Sequence, residues 1–231
     1  MNHFLPIVTL DGPAGVGKTT LAKRMAESLG LPYLDTGAMF RCLAYKLGKN
    51  AANLPPEELR EQCTRWDFSL VGTGAQSTLL CNDQPVRNEI RTEKVGMLAA
   101  RLATAPVVRE FLRDIQRTIG EHSPLVAEGR DMGTVVFPEA RFKFFLDAKP
   151  EVRAARRLRE LEMRGENAEL ADLTEQIRQR DAMDRTRAVA PLRPADDARI
   201  VDTSDLDIEG VLGVMLHHIS LQGGKEIFTV R

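Results

Sequence analysis

The chain has 231 residues, a formal net charge of −1, 43% hydrophobic residues and 28% charged residues. That length buries a substantial core, as one domain or as a core with a small insert, and the composition is that of a globular enzyme. The near-neutral charge argues against a nucleic-acid wrapper or a membrane-surface protein, which carry a basic excess. Three cysteines, Cys42, Cys63 and Cys81, form no C-x-x-C pair and are odd in number, which argues against a disulfide framework or a structural zinc site. Met1 to Leu10 lacks the pattern of a signal peptide, and no stretch approaches the ~18 apolar residues of a membrane span. A cytoplasmic setting is the resulting expectation.

Ile7, Val8 and Leu10 end at Asp11-Gly12 and read as a buried parallel strand. Leu21, Ala22, Met25, Ala26 and Leu29 then recur at helical spacing until Gly30. Pro32 to Asp35 reads as a second strand, and Met39, Leu43 and Leu47 as a helical stripe ending near Gly48. Trp66, Phe68 and Leu70 alternate with polar residues before the turn at Gly72-Thr73-Gly74. Leu79 to Cys81 and a second turn at Asn82-Asp83 follow, so the segment reads as a small antiparallel meander, with an irregular surface excursion as the alternative. Leu125 to Ala127, Phe142 to Leu146 and Ile200-Val201 are three further strands. A last helix carries Ile208, Val211, Leu212, Met215 and Ile219. Strands alternating with helices predict an α/β fold with a mainly parallel sheet.

Gly12-Pro13-Ala14-Gly15-Val16-Gly17-Lys18-Thr19 fits G-x-x-x-x-G-K-[ST] in full and leads into Thr20. Glycines let backbone N–H groups converge on phosphate oxygens, and the next helix aims its positive dipole end at the same anion. Lys18 reaches β- and γ-phosphates in such a cradle, and the Thr19 hydroxyl ligates Mg²⁺. A chance glycine-rich turn is the alternative; the strand before it and the helix after it argue for triphosphate binding.

Ligands of open parallel sheets bind beyond the carboxyl ends of the strands. There the second strand delivers Asp35-Thr36-Gly37 and Arg41, the third Glu128-Gly129-Arg130-Asp131, and the fourth Asp147. Asp35 and Thr36 also suit helix N-caps. If helical, Arg180, Asp184 and Arg187 share one face at i, i+4 and i+7. Spacing alone leaves a solvated helix of Asp–Arg pairs equally open. The preceding run, Arg153, Arg156, Arg157, Arg159 and Arg164, uses arginine where lysine would serve for solubility. Planar forks suit bidentate phosphate contacts, whereas a nucleic-acid patch would interleave aromatic residues.

Two longer strings now carry a resemblance. Gly129-Arg130-Asp131-Met132-Gly133-Thr134-Val135-Val136-Phe137-Pro138, and Arg180-Asp181 through Asp184-Arg185-Thr186-Arg187-Ala188-Val189-Ala190-Pro191-Leu192, resemble the bacterial-type cytidylate kinases. The likeness runs from about Ile7 to the last helix, and Asp35-Thr36-Gly37 with Arg41 is similar to the monophosphate-binding element of nucleotide kinases generally. It implies a P-loop kinase core with a parallel five-stranded sheet flanked by helices, a small antiparallel insert and a short lid. The core would span 4–35, 121–152 and 188–222, the monophosphate-binding region 36–120, and the lid with its adjoining helix 153–187.

The implied reaction is Mg²⁺-dependent transfer of the ATP γ-phosphoryl group to CMP or dCMP, in pyrimidine nucleotide metabolism. By the same likeness Gly12 to Thr20 hold ATP, with Arg153 and Arg157 as lid contacts. Thr36, Arg109 and Asp131 contact the base, Arg41, Arg130 and Arg187 the acceptor phosphate, and Arg180 and Asp184 the sugar. Lys18, Arg41, Arg130 and Arg187 would act on the transferring group, Thr19 would ligate Mg²⁺ directly, and Glu128 would reach it through water. An acceptor such as Asp131 suits the exocyclic amine of cytosine and repels the uracil carbonyl. Thr36 stands where a serine is common, Phe40 where a tyrosine can occur, and Ala100 where a serine hydroxyl would reach the sugar. The tail after Gly223 has no counterpart. The implied partners are ATP and CMP or dCMP, with no nucleic acid and no membrane, and a monomer is the default.

Three rivals stand beside this resemblance. A related kinase acting on AMP, UMP, shikimate or a sugar acid would need another acceptor pocket. A GTPase switch would carry an N-K-x-D string, which is absent. A nucleic-acid-binding ATPase is disfavoured by the charge and the missing aromatics.

Overall fold

The computed structural model describes residues 6–163, 165–223 and 228. The elements run β1 (Ile7–Asp11), α1 (Lys18–Leu29), β2 (Tyr33–Asp35), α2 (Thr36–Leu47), α3 (Pro56–Cys63), β3 (Phe68–Val71), β4 (Thr78–Cys81) and β5 (Gln84–Pro85). Then come α4 (Glu93–Leu102), α5 (Pro106–His122), β6 (Leu125–Gly129), β7 (Phe142–Asp147), α6 (Pro150–Glu162), α7 (Leu170–Thr186), β8 (Arg199–Asp202) and α8 (Ile208–Leu221). Five strands form one parallel sheet in the order β2-β6-β1-β7-β8. The meander is present as a separate three-stranded antiparallel sheet, β3-β4-β5. Asn82 and Asp83 both have positive φ at its second turn, the backbone that joins two strands by a tight hairpin.

The central strands read as near-continuous apolar runs, interrupted by Thr9 and Lys143, because both faces of the sheet are covered. Along β1 and β6, alternate residues serve two cores. Ile7, Leu125 and Ala127 pack with α2 to α5 and the small sheet. Val8, Leu10 and Val126 pack with α1 and α8, together with Phe142, Phe144 and Leu146. A third, smaller cluster lies between α6 and α7.

Strand β1 carries the phosphate loop in register with β6 and β7, so the loop emerges between Gly129 and the end of β7. Gly12 permits that approach: its φ is +149, and a Cβ there would lie 2.1 Å from the carbonyl oxygen of Leu146. Asp35 caps α2 by accepting the N–H of Ala38 at 2.8 Å, settling which of the two candidate caps is used. Helix α7 ends at Thr186, and Arg187 follows in extended backbone, so the face of Arg180 and Asp184 is helical and Arg187 joins it from the turn beyond. Among the described residues no helix is long and apolar enough to cross a membrane.

Candidate active site

Two cavities meet at the phosphate loop. One, of about 540 Å³, lies between the loop, Arg156 on α6 and the segment from Thr203 to Ile208 that leads into α8. The other, of about 670 Å³, extends towards Arg41, Arg91, Ala100, Arg130 and Arg180. Gly15, Lys18, Thr19 and Glu160 line both. Two ligands seated in these cavities therefore face each other across the cradle.

Gly17 caps α1 in left-handed backbone with no side-chain partner, so the first turn of α1 keeps its N–H groups for an anion. Lys18 is buried and donates to the carbonyl of Pro13 at 2.6 Å. Burial, and then the nearby Arg130 guanidinium, push its ammonium down to about 7. An anion placed between Lys18 and Arg130 would reverse that penalty. Asp11, the last residue of β1, accepts the N–H groups of Met132 and Gly133 at 2.8 Å each. Burial nevertheless raises its carboxyl to about 6. Asp11 thus ties the strand that bears the cradle to the turn that bears Arg130 and Asp131.

Glu128 is buried beside the cradle, where the Tyr33 hydroxyl donates to it and the Thr19 hydroxyl reaches it. Burial, reinforced by Asp35, raises its carboxyl to about 7. Among the described residues no group of three His, Cys, Asp or Glu side chains could enclose a metal. One hydroxyl and one adjacent carboxylate, both hard oxygen donors, suit Mg²⁺, which keeps much of its water and takes its remaining ligands from nucleotide phosphates.

The larger cavity and the side chains beside it are assembled from four separate parts of the chain. Arg41 on α2 donates to the carbonyls of Ile90 and Thr92 at 3.4 Å each. Arg130 donates to Asp184 on α7 at 2.8 Å. Burial works against ionisation of Asp184, yet Arg130, with Arg180 and Arg187, holds its carboxyl below the usual range. Burial and then Arg130 lower the Arg180 guanidinium to about 10, and its Nε is buried without a hydrogen-bond partner among the described residues. An orphan donor of that kind in a cavity wall marks a place where a ligand oxygen completes the set.

Thr36, Arg109, Asp131 and Arg187 lie outside the lining of the larger cavity, and the last three form a buried network next to it. Asp131 accepts Arg109 at 2.5 Å through one oxygen and Arg187 at 3.4 Å through the other. Each oxygen keeps a second acceptor position for a further donor. Arg109 also lies over the Phe40 ring at 5.5 Å, Arg187 donates to the carbonyl of Ala190 at 2.6 Å, and Thr36 donates to the carbonyl of Glu128 at 2.7 Å. Asp184 bridges the network to the cavity, since it bonds Arg130 and sits 3.8 Å from Arg187.

Of the two arginines expected over the phosphates, Arg157 lines the larger cavity and pairs with Glu93 at 2.6 Å and Glu160 at 3.0 Å. Arg153 is not among the lining residues of either cavity. It is buried, and its donors are engaged by the carbonyls of Ala14 and Ala148 and by Asp181. Arg156, named in the arginine run but given no role of its own there, lines the smaller cavity and donates to Thr203. Asp11, Tyr33 and Arg91 were also missed. Only Asp11 left a signal, as a carboxylate closing an apolar strand.

A strand–loop–helix phosphate cradle opening onto a cation-rich cavity, at the carboxyl edge of a parallel sheet, defines a P-loop kinase. Its fold is shared with a solved structure of an uncharacterized protein from Eubacterium ventriosum, with a TM-score of 0.51 at 12% identity, covering 94% of this chain and 98% of that one. The family model for cytidylate kinase matches residues 8–221. A cytidylate kinase from Nitratidesulfovibrio vulgaris is 60% identical over 220 residues, covering 95% of each chain. Another, from Pseudomonas paraeruginosa, is 42% identical over 226 residues, covering 96% of this chain and 99% of that one. The chain belongs to the cytidylate kinase family.

Proposed function

We propose that the protein transfers the γ-phosphoryl group of ATP to CMP or dCMP, giving CDP or dCDP and ADP. The observation that carries this reading is the shared wall of the two cavities. A triphosphate seated on the loop and a monophosphate among Arg41, Arg130 and Arg180 would present their phosphates to each other at Lys18. The larger cavity is lined by six cations, Lys18, Arg41, Arg91, Arg130, Arg157 and Arg180, against four carboxylates. That excess suits an anionic acceptor.

Phosphoryl transfer asks a protein mainly for alignment and for compensation of charge. Here Lys18 and the N–H groups at the start of α1 would hold the donor phosphates. Arg130 and Arg187, with Arg41, would hold the acceptor phosphate, and Arg180 and Asp184 its sugar. The nucleophile is a phosphate oxygen that is already anionic, so no side chain has to remove a proton from it. Mg²⁺, held by Thr19 and approached by Glu128, would supply charge neutralisation between the phosphates. Thr36, Arg109 and Asp131 would read the base, with the free acceptor positions of Asp131 favouring the amine of cytosine. Ala100 lines the acceptor cavity and brings a methyl where a hydroxyl would meet the sugar. The enzyme is read as a cytoplasmic monomer working on free nucleotides, and sedimentation of the purified chain tests the oligomeric part.

A coupled assay with ATP, Mg²⁺ and a panel of CMP, dCMP, UMP and AMP tests the acceptor. CMP or dCMP should give the highest kcat/KM. Faster turnover of AMP or UMP than of both cytidine nucleotides would remove the cytidylate reading and leave the kinase core standing.

A further inference from the structure

The α6–α7 pair is joined to the rest of the molecule with little apolar packing. Among the described residues its own cluster has three buried members, Ala154, Leu161 and Leu173, separate from the two large cores. The polar tie is far more extensive. Arg153 on α6 is 1% exposed. Its Nε donates to the carbonyl of Ala148 at 2.9 Å. One terminal nitrogen donates to the carbonyl of Ala14 and to Asp181, each at 3.0 Å, and the other donates to the second oxygen of Asp181. One guanidinium therefore fastens the phosphate loop, the end of β7 and helix α7 to the same point.

Each end of that tie touches a nucleotide site. The Ala14–Gly15 peptide is trans, so its N–H points away from its carbonyl. Arg153, by holding the carbonyl of Ala14, turns the N–H of Gly15 away from itself, and Gly15 lines both cavities. Gly15 has φ +80, and a Cβ there would sit 3.3 Å from the Cβ of Arg153, so arginine and loop are in direct contact. At the other end, Asp181 follows Arg180 and precedes Asp184 by three residues, on the helix that presents Arg180 to the larger cavity and Asp184 to Arg130 at its wall.

We propose that Arg153 and Asp181 are positioning residues that couple the two sites. Filling the cradle fixes the Ala14–Gly15 peptide, and through the Arg153 fork it fixes the register of Arg180 and Asp184 for the acceptor. The coupling is reciprocal, as any equilibrium linkage must be. It rests on reading the loop as the donor site and α7 as part of the acceptor site. A purely structural ion pair would behave differently, since its loss would lower the melting temperature and leave each site blind to the other as before.

Calorimetric titration of CMP into the full-length protein, with and without saturating Mg·AMP-PNP, reads the coupling as a ratio of affinities. Couplings between sites are typically about 5–150-fold. The wild type should fall in that range, and Asp181→Asn and Arg153→Lys should fall to within about twofold of unity. Lysine keeps the charge but not the planar fork. Asp197→Asn is the stability control, because it leaves the buried Lys143 without the carboxylate that now sits at 2.8 Å. It should lower the melting temperature and keep the wild-type ratio. A wild-type ratio of one, or unchanged ratios in the two Arg153–Asp181 variants, overturns the proposal. Hydrogen exchange of the wild type covers the case in which these variants do not fold. Mg·AMP-PNP must slow amide exchange in α7, and unaltered exchange there also overturns it. CMP binding without coupling rejects only this inference, whereas no CMP binding at all rejects the acceptor reading.

Discussion

The phosphate cradle is eight consecutive residues, Gly12 to Thr19, shaped by backbone; the acceptor network draws side chains from α2, α5, the turn after β6, and α7. In the first, the sequence neighbours are the spatial neighbours, and glycine conformations with one lysine define the site. In the second, long side chains meet across the fold, and Arg109, Arg130 and Arg187 are each held by a partner of opposite charge. A backbone site tolerates few substitutions because the space itself is the device. A side-chain site is tuned residue by residue, and losing one partner leaves the other buried and charged.

Four substitutions sharpen that contrast. Lys18→Met should lower kcat by about 10³-fold, since it removes the positioned charge on the transferring group. Its melting temperature should hold or rise, because a buried ammonium already depressed to about 7 is removed. A fall in melting temperature together with kcat would mean that Lys18 supports the loop rather than the chemistry. Gly12→Ala should unfold more easily by about 3 kcal/mol, as a methyl group is forced onto the Leu146 carbonyl at a φ that L-residues avoid. Chemical denaturation with urea reads this directly.

Asp11 gives a pH test of how cradle and acceptor turn are joined. Its carboxyl lies at about 6 in the fold against 3.8 in a free chain. The raised value means that its contribution is fully present below 3.8 and is lost as pH rises through about 6. Relative to Asp11→Asn, the nucleotide-free wild type should lose roughly 3 kcal/mol of stability across that window. A flat difference between the two proteins would show that Asp11 does not titrate at the junction. The smallest effect is expected at Asp131. Asp131→Asn should reduce the CMP/UMP ratio of kcat/KM by about tenfold, the scale of one amine contact at 1–3 kcal/mol. A ratio equal to that of the wild type would take Asp131 out of base reading.

Much of the scaffold was legible. Ile7 to Leu10, Leu125 to Ala127 and Phe142 to Leu146 announced central strands because apolar side chains on both faces leave no alternation. The meander at Phe68 to Cys81 showed the opposite pattern and became the separate sheet. Helix α5 with Arg109 was not placed by spacing. Arg109 stands between Val108 and Glu110 in sequence, and nothing local separates a buried arginine from an exposed one. Arg153 sat in an arginine run that suggested phosphate, and nothing in that run announced its burial or its protein acceptors Ala14, Ala148 and Asp181.

The sequence by itself determined the cradle, the alternation of strands and helices and the family strings, because each depends on residues close along the chain. Tertiary structure alone decided which charges meet. Arg109 finds Asp131 over 22 residues, Arg130 finds Asp184 over 54, and Arg187 finds Asp131 over 56. Ion pairing is weak between exposed groups and strong in selection once burial makes an unpaired charge intolerable. Only the packed fold says which groups are buried.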